Sequence, residues 1–350
     1  MMFEKLKEYG TEAIHFVNDE ESGLKAIVAI HSTVMGPATG GTRIWNYATE
    51  EEALYDVLRL SRGMTFKNAV SGVTMGGAKG VIIGDPKTIK TEKLMLAYGR
   101  FVENLGGQFT TGEDVNMTDA DVEIMARVTK YVAGIGGEGR GGDPSPYTAR
   151  GVYRGMQAAS KEKFGSDSLR GKTVAVQGCG KVGTELCRWL HEDGANLIVA
   201  DVNTESVERV KALYGATAVT PEEIRFVECD VFAPCAMGAV IGVAEVPKLK
   251  CQIIAGAANN VLVDAAAGDA LHARGILYVP DYVINGGGVI SIFLEIQRIH
   301  TEETANARMD GIYDNVKNVL DFAKQEDIPT YQAADRYALK VIDEKRKSNS

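Results

Sequence analysis

One short glycine run constrains this chain more than any other feature. Gly178-Cys-Gly180-Lys-Val-Gly183 follows an apolar, β-prone stretch, Thr173–Gln177, and opens a helical pattern that runs through His191. A second strand-like run, 195–200, then ends on the acid Asp201. Strand, tight turn, helix, strand and acid in that order form the unit that binds a dinucleotide. Gly178 permits the sharp turn, Gly180 lets the backbone approach a pyrophosphate, and Gly183 lets helix and strand pack closely. Cys179, Lys181 and Val182 complete the turn. The helix start offers free N–H groups and a positive dipole end to phosphates. Asp201 lies roughly 20 residues on, where an acid takes a ribose 2′-hydroxyl. An acid there would repel the extra phosphate of NADP, so the pattern favours NAD.

At 350 residues the chain is long enough for two domains. Its net charge of −9 excludes a general attraction to nucleic acid or to an anionic membrane surface. The basic run Lys345-Arg-Lys347 is short and reads as a solvated tail. No apolar run is long enough to span a bilayer, and the first residues do not resemble a signal peptide. The five cysteines form no CxxC pair and fall mostly in apolar runs. That usage fits buried free thiols in a reducing cytoplasm. The five histidines lack metal-ligand spacing, so no metal is expected.

The rest of the chain alternates strands and helices, as an α/β protein does. Leu24–His31 reads as a strand, and the glycine-rich segment 36–43 after it as irregular backbone. Glu50–Arg62 and Thr91–Leu105 read as amphipathic helices, and Gln108–Thr111 as a strand ending in Glu113 and Asp114. Residues 134–146 carry no apolar periodicity and read as a mobile connection. A helix from about Tyr147 to Phe164 follows, with Pro146 as its start signal. Beyond Asp201 come a helix at 207–213, strands near 230–234, 252–256 and 277–280, a helix opened by the glycines after Asn285, a long helix at 301–323, and a final helix near 331–344. Loops at the strand ends of a doubly wound sheet face its ligand crevice. The expected boundaries are a first α/β domain at 1–135, a glycine-rich hinge at 136–146, a Rossmann-type domain at 147–328, and a C-terminal helix, 329–350, returning to the first domain.

Two lysines, Lys67 and Lys79, flank a glycine-rich segment in apolar surroundings. A partly desolvated lysine beside another cation can act as a base near neutral pH, and a second lysine can hold a carboxylate. With the acids at the end of the 108–111 strand, the set suits a substrate bearing an α-carboxylate. The chemistry alone permits a 2-hydroxy acid or a 2-amino acid. The former wants a catalytic histidine–acid pair, and no histidine sits in a matching loop. A non-catalytic NAD-binding regulator would not need Lys67, Lys79 and Asp114 together.

Four spaced motifs, Gly36-Pro-Ala-Thr-Gly-Gly-Thr-Arg43, Gly63-Met-Thr-Phe-Lys67-Asn, Met75-Gly-Gly-Ala-Lys79 and Gly112-Glu-Asp114-Val, resemble the amino acid dehydrogenases that act on glutamate, leucine, phenylalanine or valine. The likeness continues through Cys229–Ala236, Ala255–Asn260 and Pro280–Asn285. It implies reversible oxidative deamination of an L-amino acid with NAD, in a homo-oligomer. It implies Lys67 as the α-carboxylate ligand, helped by the Gly40-Gly41 backbone and Asn260. Lys79 matches the lysine that activates water, Asp114 the proton-transfer carboxylate, and Met64 a position beside substrate and nicotinamide. Ala236, Ala257, Asn259 and Asn285 join the glycine turn as cofactor contacts. Cleft closure about the hinge would exclude water from the imine.

Thr39, Gly112, Val289 and Ile292 match the positions that shape the side-chain pocket. No lysine or serine there would hold a γ-carboxylate, which argues against glutamate. Thr39 and Gly112 leave more room than the leucine enzymes have and point to an aromatic substrate. Val289 and Trp45 resemble the leucine enzymes and keep a branched-chain substrate second.

Overall fold

The computed structural model describes residues 2–135 and 141–349. Two compact units partition the chain. One holds residues 1–143, 292–301 and 338–350, and the other 144–291 and 302–337.

The first unit begins with α1 (Met2–Tyr9), β1 (Ala13–Asp19), β2 (Leu24–Ser32), β3 (Ala38–Thr39), β4 (Thr42–Trp45) and α2 (Glu50–Val70). It continues with β5 (Gly76–Ile83), α3 (Pro86–Ile89), α4 (Glu92–Asn104), β6 (Phe109–Thr110) and α5 (Asp119–Ala126). Its sheet runs β1-β2-β5-β3-β6, with β4 also on β5. β2 is antiparallel to β1 and β5, whereas β3 and β4 run parallel to β5. The strand at the centre, β5, is a glycine-rich segment that carries Lys79, and every residue from Gly76 to Ile82 is buried. Helix α4 and strands β2 and β5 share one core around Tyr98, Phe109 and Met125. The inner face of α2 joins Ile27, Ala29 and Val81 in another.

Helix α2 departs from expectation. It runs eight residues beyond Arg62, so Met64 and Lys67 stand on a helix rather than after one. Gly63 is exposed there and costs ~1 kcal/mol relative to alanine in a helix. Burial of Thr65, Phe66, Asn68, Ala69 and Val70 offsets that penalty. Asn68 Nδ2 donates to the Gly76 carbonyl at 2.7 Å and fixes the helix against β5. His31 Nδ1 lies 2.8 Å from Thr65 Oγ1, and burial together with the Arg62 charge lowers that histidine's pKa to about 4.

The second unit contains a parallel sheet, order β12-β11-β10-β7-β8-β9, built from β7 (Thr173–Gln177), β8 (Asn196–Ala200), β9 (Thr217–Ala218), β10 (Val231–Pro234), β11 (Ile253–Ile254) and β12 (Leu277–Tyr278). This is the doubly wound order, and it reverses between β7 and β10. Its helices are α6 (Ser145–Phe164), α7 (Lys181–Asp193), α8 (Thr204–Tyr214), α9 (Ala265–Ala273), α10 (Asp281–Ile284), α12 (Glu302–Asp310) and α13 (Ile312–Glu326). Two further helices, α11 (Gly287–Ile296) and α14 (Thr330–Asn349), begin in this unit and end in the first. Asn349, near the end of α14, donates to the Val34 carbonyl of the first unit at 3.0 Å.

Two helix boundaries differ from the sequence reading. The long helix expected over 301–323 is broken at Gly311 into α12 and α13. Helix α6 starts at Ser145 with Pro144 before it, so Pro146 lies in its first turn. Of the hinge segment 136–146, residues 136–140 lie outside the described residues.

A methyl group at Gly77 would lie 2.1 Å from the Thr65 amide nitrogen, so α2 reaches β5 this closely only across a glycine. Gly77→Ala should cost about 1–3 kcal/mol in urea unfolding, because the helix must move off the strand.

Candidate active site

In the first unit the structure gathers residues that are far apart in sequence. Lys79 projects from β5 and is 6% exposed. Its Nζ lies 3.0 Å from Asp114 Oδ1. Asp114 follows β6 on a turn whose backbone is tied to β4, with Thr42 N–H donating to Gly112 O at 3.0 Å and Ile44 N–H to Val115 O at 3.1 Å. The β3–β4 corner, Gly40-Gly41, passes between the two functional segments. A side chain at Gly40 would meet the Ala78 carbonyl at 1.8 Å, and one at Gly41 the Glu113 carbonyl at 2.1 Å. The glycine pair thus lets β5 and the Asp114 turn close on one another. The Met64 Cγ is 3.3 Å from the same Gly40 position. Met64 and Lys67, three apart on α2, share a helix face. Both are half-buried.

Helix capping does not occupy Asp114. Asp121 accepts from both the N–H and the hydroxyl of Thr118 at the start of α5, at 2.8 and 2.7 Å. Asp114 is instead held by a second cation that sequence reasoning passed over. Arg43 Nε donates to Asp114 Oδ2 at 2.7 Å. Burial by itself would raise the Asp114 pKa, but the charges of Lys79 and Arg43 outweigh it and hold the group at about 2. Arg43 lies in the segment expected to be irregular backbone, which instead forms β4, with its neighbours Thr42 and Ile44 buried.

The positions expected to shape a side-chain pocket have local roles of their own. Thr39 is buried and its hydroxyl donates to the Thr110 carbonyl at 3.1 Å. A methyl at Gly112 would stand 2.9 Å from the Ala133 carbonyl oxygen. Ile292 Cδ1 would meet a methyl at Gly134 at 3.4 Å. Val289 lies half-buried on α11, in the second unit.

That unit carries the glycine turn. Gly178 has φ +106° and follows β7, and a methyl there would meet Ala236, just after β10, at 2.9 Å. The turn therefore sits at the reversal of strand order. Gly180 caps α7, is exposed, and has open space where a side chain would be. A methyl at Gly183 would be 1.9 Å from the Gly178 carbonyl, so only glycine lets α7 start here. Lys181 is exposed and Val182 half-buried. Asp201 Oδ2 accepts from Cys179 N–H at 2.6 Å and Oδ1 from Asn203 N–H at 2.8 Å. Burial, reinforced by the Asp201 charge, pushes the Cys179 thiol up to about 11, so it is protonated at neutral pH.

Across the crevice floor, Asn285 Nδ2 donates to Ala257 O at 3.0 Å and Asn259 Oδ1 at 2.8 Å. The Asn285 Oδ1 atom is buried and has no partner among the described residues. An open helix start, an acid at the second strand end and an unsatisfied amide oxygen fit a dinucleotide. Asn260, at φ +52°, is exposed beside this group. Among the described residues no cluster could hold a metal, and no helix is long and apolar enough to cross a membrane.

A Rossmann-type unit and a separate unit carrying a buried lysine–aspartate pair define a two-domain dehydrogenase. Comparison with known proteins makes the class specific. Residues 11–133 match the family model described as Glu/Leu/Phe/Val dehydrogenase, dimerisation domain, and residues 197–349 the model Glutamate/Leucine/Phenylalanine/Valine dehydrogenase. The chain belongs to this family and is an amino acid dehydrogenase, an oxidoreductase. It is 53% identical to leucine dehydrogenase of Geobacillus stearothermophilus over 350 residues, covering all of this chain and 95% of that enzyme. Valine dehydrogenase of Streptomyces virginiae is 46% identical, covering 94% of this chain and 93% of that enzyme. The crystal structure of L-tryptophan dehydrogenase from Nostoc punctiforme superposes with a TM-score of 0.88 at 44% identity, covering 99% of this chain and all of that one.

The lowered Asp114 pKa fixes a pH dependence. A depressed carboxylate contributes stability that is full above about pH 4 and is lost as pH falls towards 2. Asp114→Asn should cost roughly 3 kcal/mol at neutral pH, by leaving the buried Lys79 without its carboxylate and Arg43 with Asp56 alone. The gap to the native protein should narrow as pH drops below about 4, checked by denaturant unfolding across pH.

Proposed function

We propose that the protein catalyses reversible, NAD-linked oxidative deamination of leucine and related branched-chain L-amino acids to 2-oxo acids and ammonia. The observation that carries this reading is the buried Lys79–Asp114 pair beside the Gly40-Gly41 backbone, in a chain 53% identical to a leucine dehydrogenase. Lys67 binds the substrate carboxylate with the Gly40-Gly41 backbone, and Asn260 assists. Lys79 activates water and polarises the developing carbonyl. Asp114 moves protons to and from the amino group. Met64 lies against the substrate.

NAD, when bound, supplies the hydride acceptor. Gly178, Cys179, Gly180, Lys181, Val182 and Gly183 bind its pyrophosphate, and Asp201 its ribose. Ala236, Ala257, Asn259 and Asn285 complete the cofactor contacts.

Leucine now stands ahead of the aromatic substrate first read from Thr39 and Gly112. Relatives at 50–53% identity carry the leucine name. Both residues also have reasons unrelated to pocket room. The Thr39 hydroxyl is engaged by Thr110, and Gly112 relieves a contact with Ala133. Thr39, Gly112, Val289 and Ile292 still shape the pocket, and a methylene or two there discriminates by only about 1–3 kcal/mol. A homo-oligomer is supported by the dimerisation description of the matching N-terminal family model and by the outer strand β1 with its exposed Phe16. The free cysteines support a reducing cytoplasm.

NADH formation at alkaline pH with leucine, valine, phenylalanine, tryptophan and glutamate tests the substrate. Leucine should lead; an aromatic leader would restore the enlarged pocket, and no turnover of any would sink the dehydrogenase reading. Asp201→Ala should weaken NAD binding and shrink the preference over NADP, and an unchanged ratio would remove Asp201 from cofactor selection.

A further inference from the structure

We infer that Arg43 is a positioning residue for the proton-transfer carboxylate, holding Asp114 in place while braced from behind by Asp56. The inference rests on the role given to Asp114 above.

The guanidinium is shared between two carboxylates. Its Nε donates to Asp114 Oδ2 at 2.7 Å and its Nη1 to Asp56 Oδ2 at 3.0 Å. Asp56, on α2, is itself fixed by the Tyr47 hydroxyl at 2.7 Å and by Arg59 Nη2 at 3.0 Å. Strand β4 lies in register beside β5, Arg43 opposite Val81 and Thr42 opposite Gly80, and so travels with the strand that bears Lys79. Arg43 and Asp114 are both largely buried, with side-chain exposures of 19% and 20%. The groups facing Asp114 are thus Lys79 from β5 and Arg43 from β4, with Asp56 and Arg59 of α2 behind them and Glu113 adjacent in the chain.

The division of labour follows from this geometry. Lys79 must release Asp114 in part whenever it engages substrate or water. Arg43 has no such task, so its contact keeps one carboxylate oxygen fixed and leaves Oδ1 to face the reacting groups. Asp56 engages the other edge of the guanidinium, so the Arg43 contact to Asp114 is held in one geometry. An arginine is suited to this because its planar fork reaches two partners from separate edges, which a lysine cannot do.

The test uses the full-length protein with leucine and NAD, and reads kcat and KM separately. Arg43→Gln should lower kcat roughly 10- to 100-fold, the scale of a small misplacement of a catalytic group, with KM for leucine within about threefold. Arg43→Lys should recover only part of that loss. Asp56→Asn should lower kcat several-fold at unchanged KM. A second readout needs no turnover. The 13C shift of the Asp114 carboxyl on acid titration should show protonation beginning at a higher pH in Arg43→Gln than in the native protein. A kcat for Arg43→Gln within about twofold of native, or an unmoved Asp114 titration, overturns the inference. Should Arg43→Gln not fold, Arg43→Lys decides, its kcat either falling at steady KM or staying native. If the native enzyme turns over no amino acid, the functional proposal fails, and the carboxyl titration still decides the role of Arg43.

Discussion

The buried pair between Lys79 and Asp114 is the interaction on which the first unit depends. An ammonium in the central strand of a sheet is tolerated only if a partner charge reaches it, because an isolated buried charge costs more than a fold can carry. Asp114 lies 35 residues on in the chain, after β6. Bringing it to Lys79 requires strands β3 and β4 to thread between them with almost no side-chain volume at the corner. Gly40 and Gly41 meet that requirement, with neighbouring carbonyls near 2 Å from where their side chains would begin. A separate close approach, across Gly77, sets α2 tightly on β5, with Met64 and Lys67 on one helix face.

In the second unit the organising constraint is steric. The Gly178 carbonyl and the first turn of α7 approach so closely at Gly183 that any side chain would separate them. The reward for that proximity is a helix start with free N–H groups beside the point where strand order reverses. Asp201 then serves two ends. It tethers the turn through the Cys179 amide, and its remaining acceptor sites stay available at the end of β8. Asn285, held by Ala257 and Asn259 but with its own oxygen unsatisfied, is the complementary polar group.

Much of this was legible in the sequence because it depends on local spacing. The glycine turn, its flanking strands and Asp201 are close in the chain, and the helices at 92–104 and 204–214 show an apolar stripe. Strand β5 was harder to read, since its glycines lower strand propensity and only tertiary packing makes it the centre of a sheet. The extension of α2 through Gly63 has the same origin: burial of its last turns outweighs a weak local preference. Gly311 had the opposite effect, interrupting a continuous apolar stripe. The pairing of Arg43 with Asp56 and Asp114 left no local trace, because the three residues belong to different elements. Thr39 and Gly112 show the remaining difficulty. A small residue in a sequence reads as room, but here one answers a carbonyl and the other a hydrogen-bond acceptor.

The sequence by itself determined the doubly wound unit, the acid at the end of its second strand and the two lysines of the first unit. These follow from residue type at fixed short separation, where backbone geometry leaves few alternatives. The tertiary structure decided which charges meet. It chose Arg43 as well as Lys79 for Asp114, assigned the capping of α5 to Asp121, and made a run of glycines into the central strand. Those outcomes depend on close approach between segments distant in the chain, and chain-local chemistry does not encode such distances.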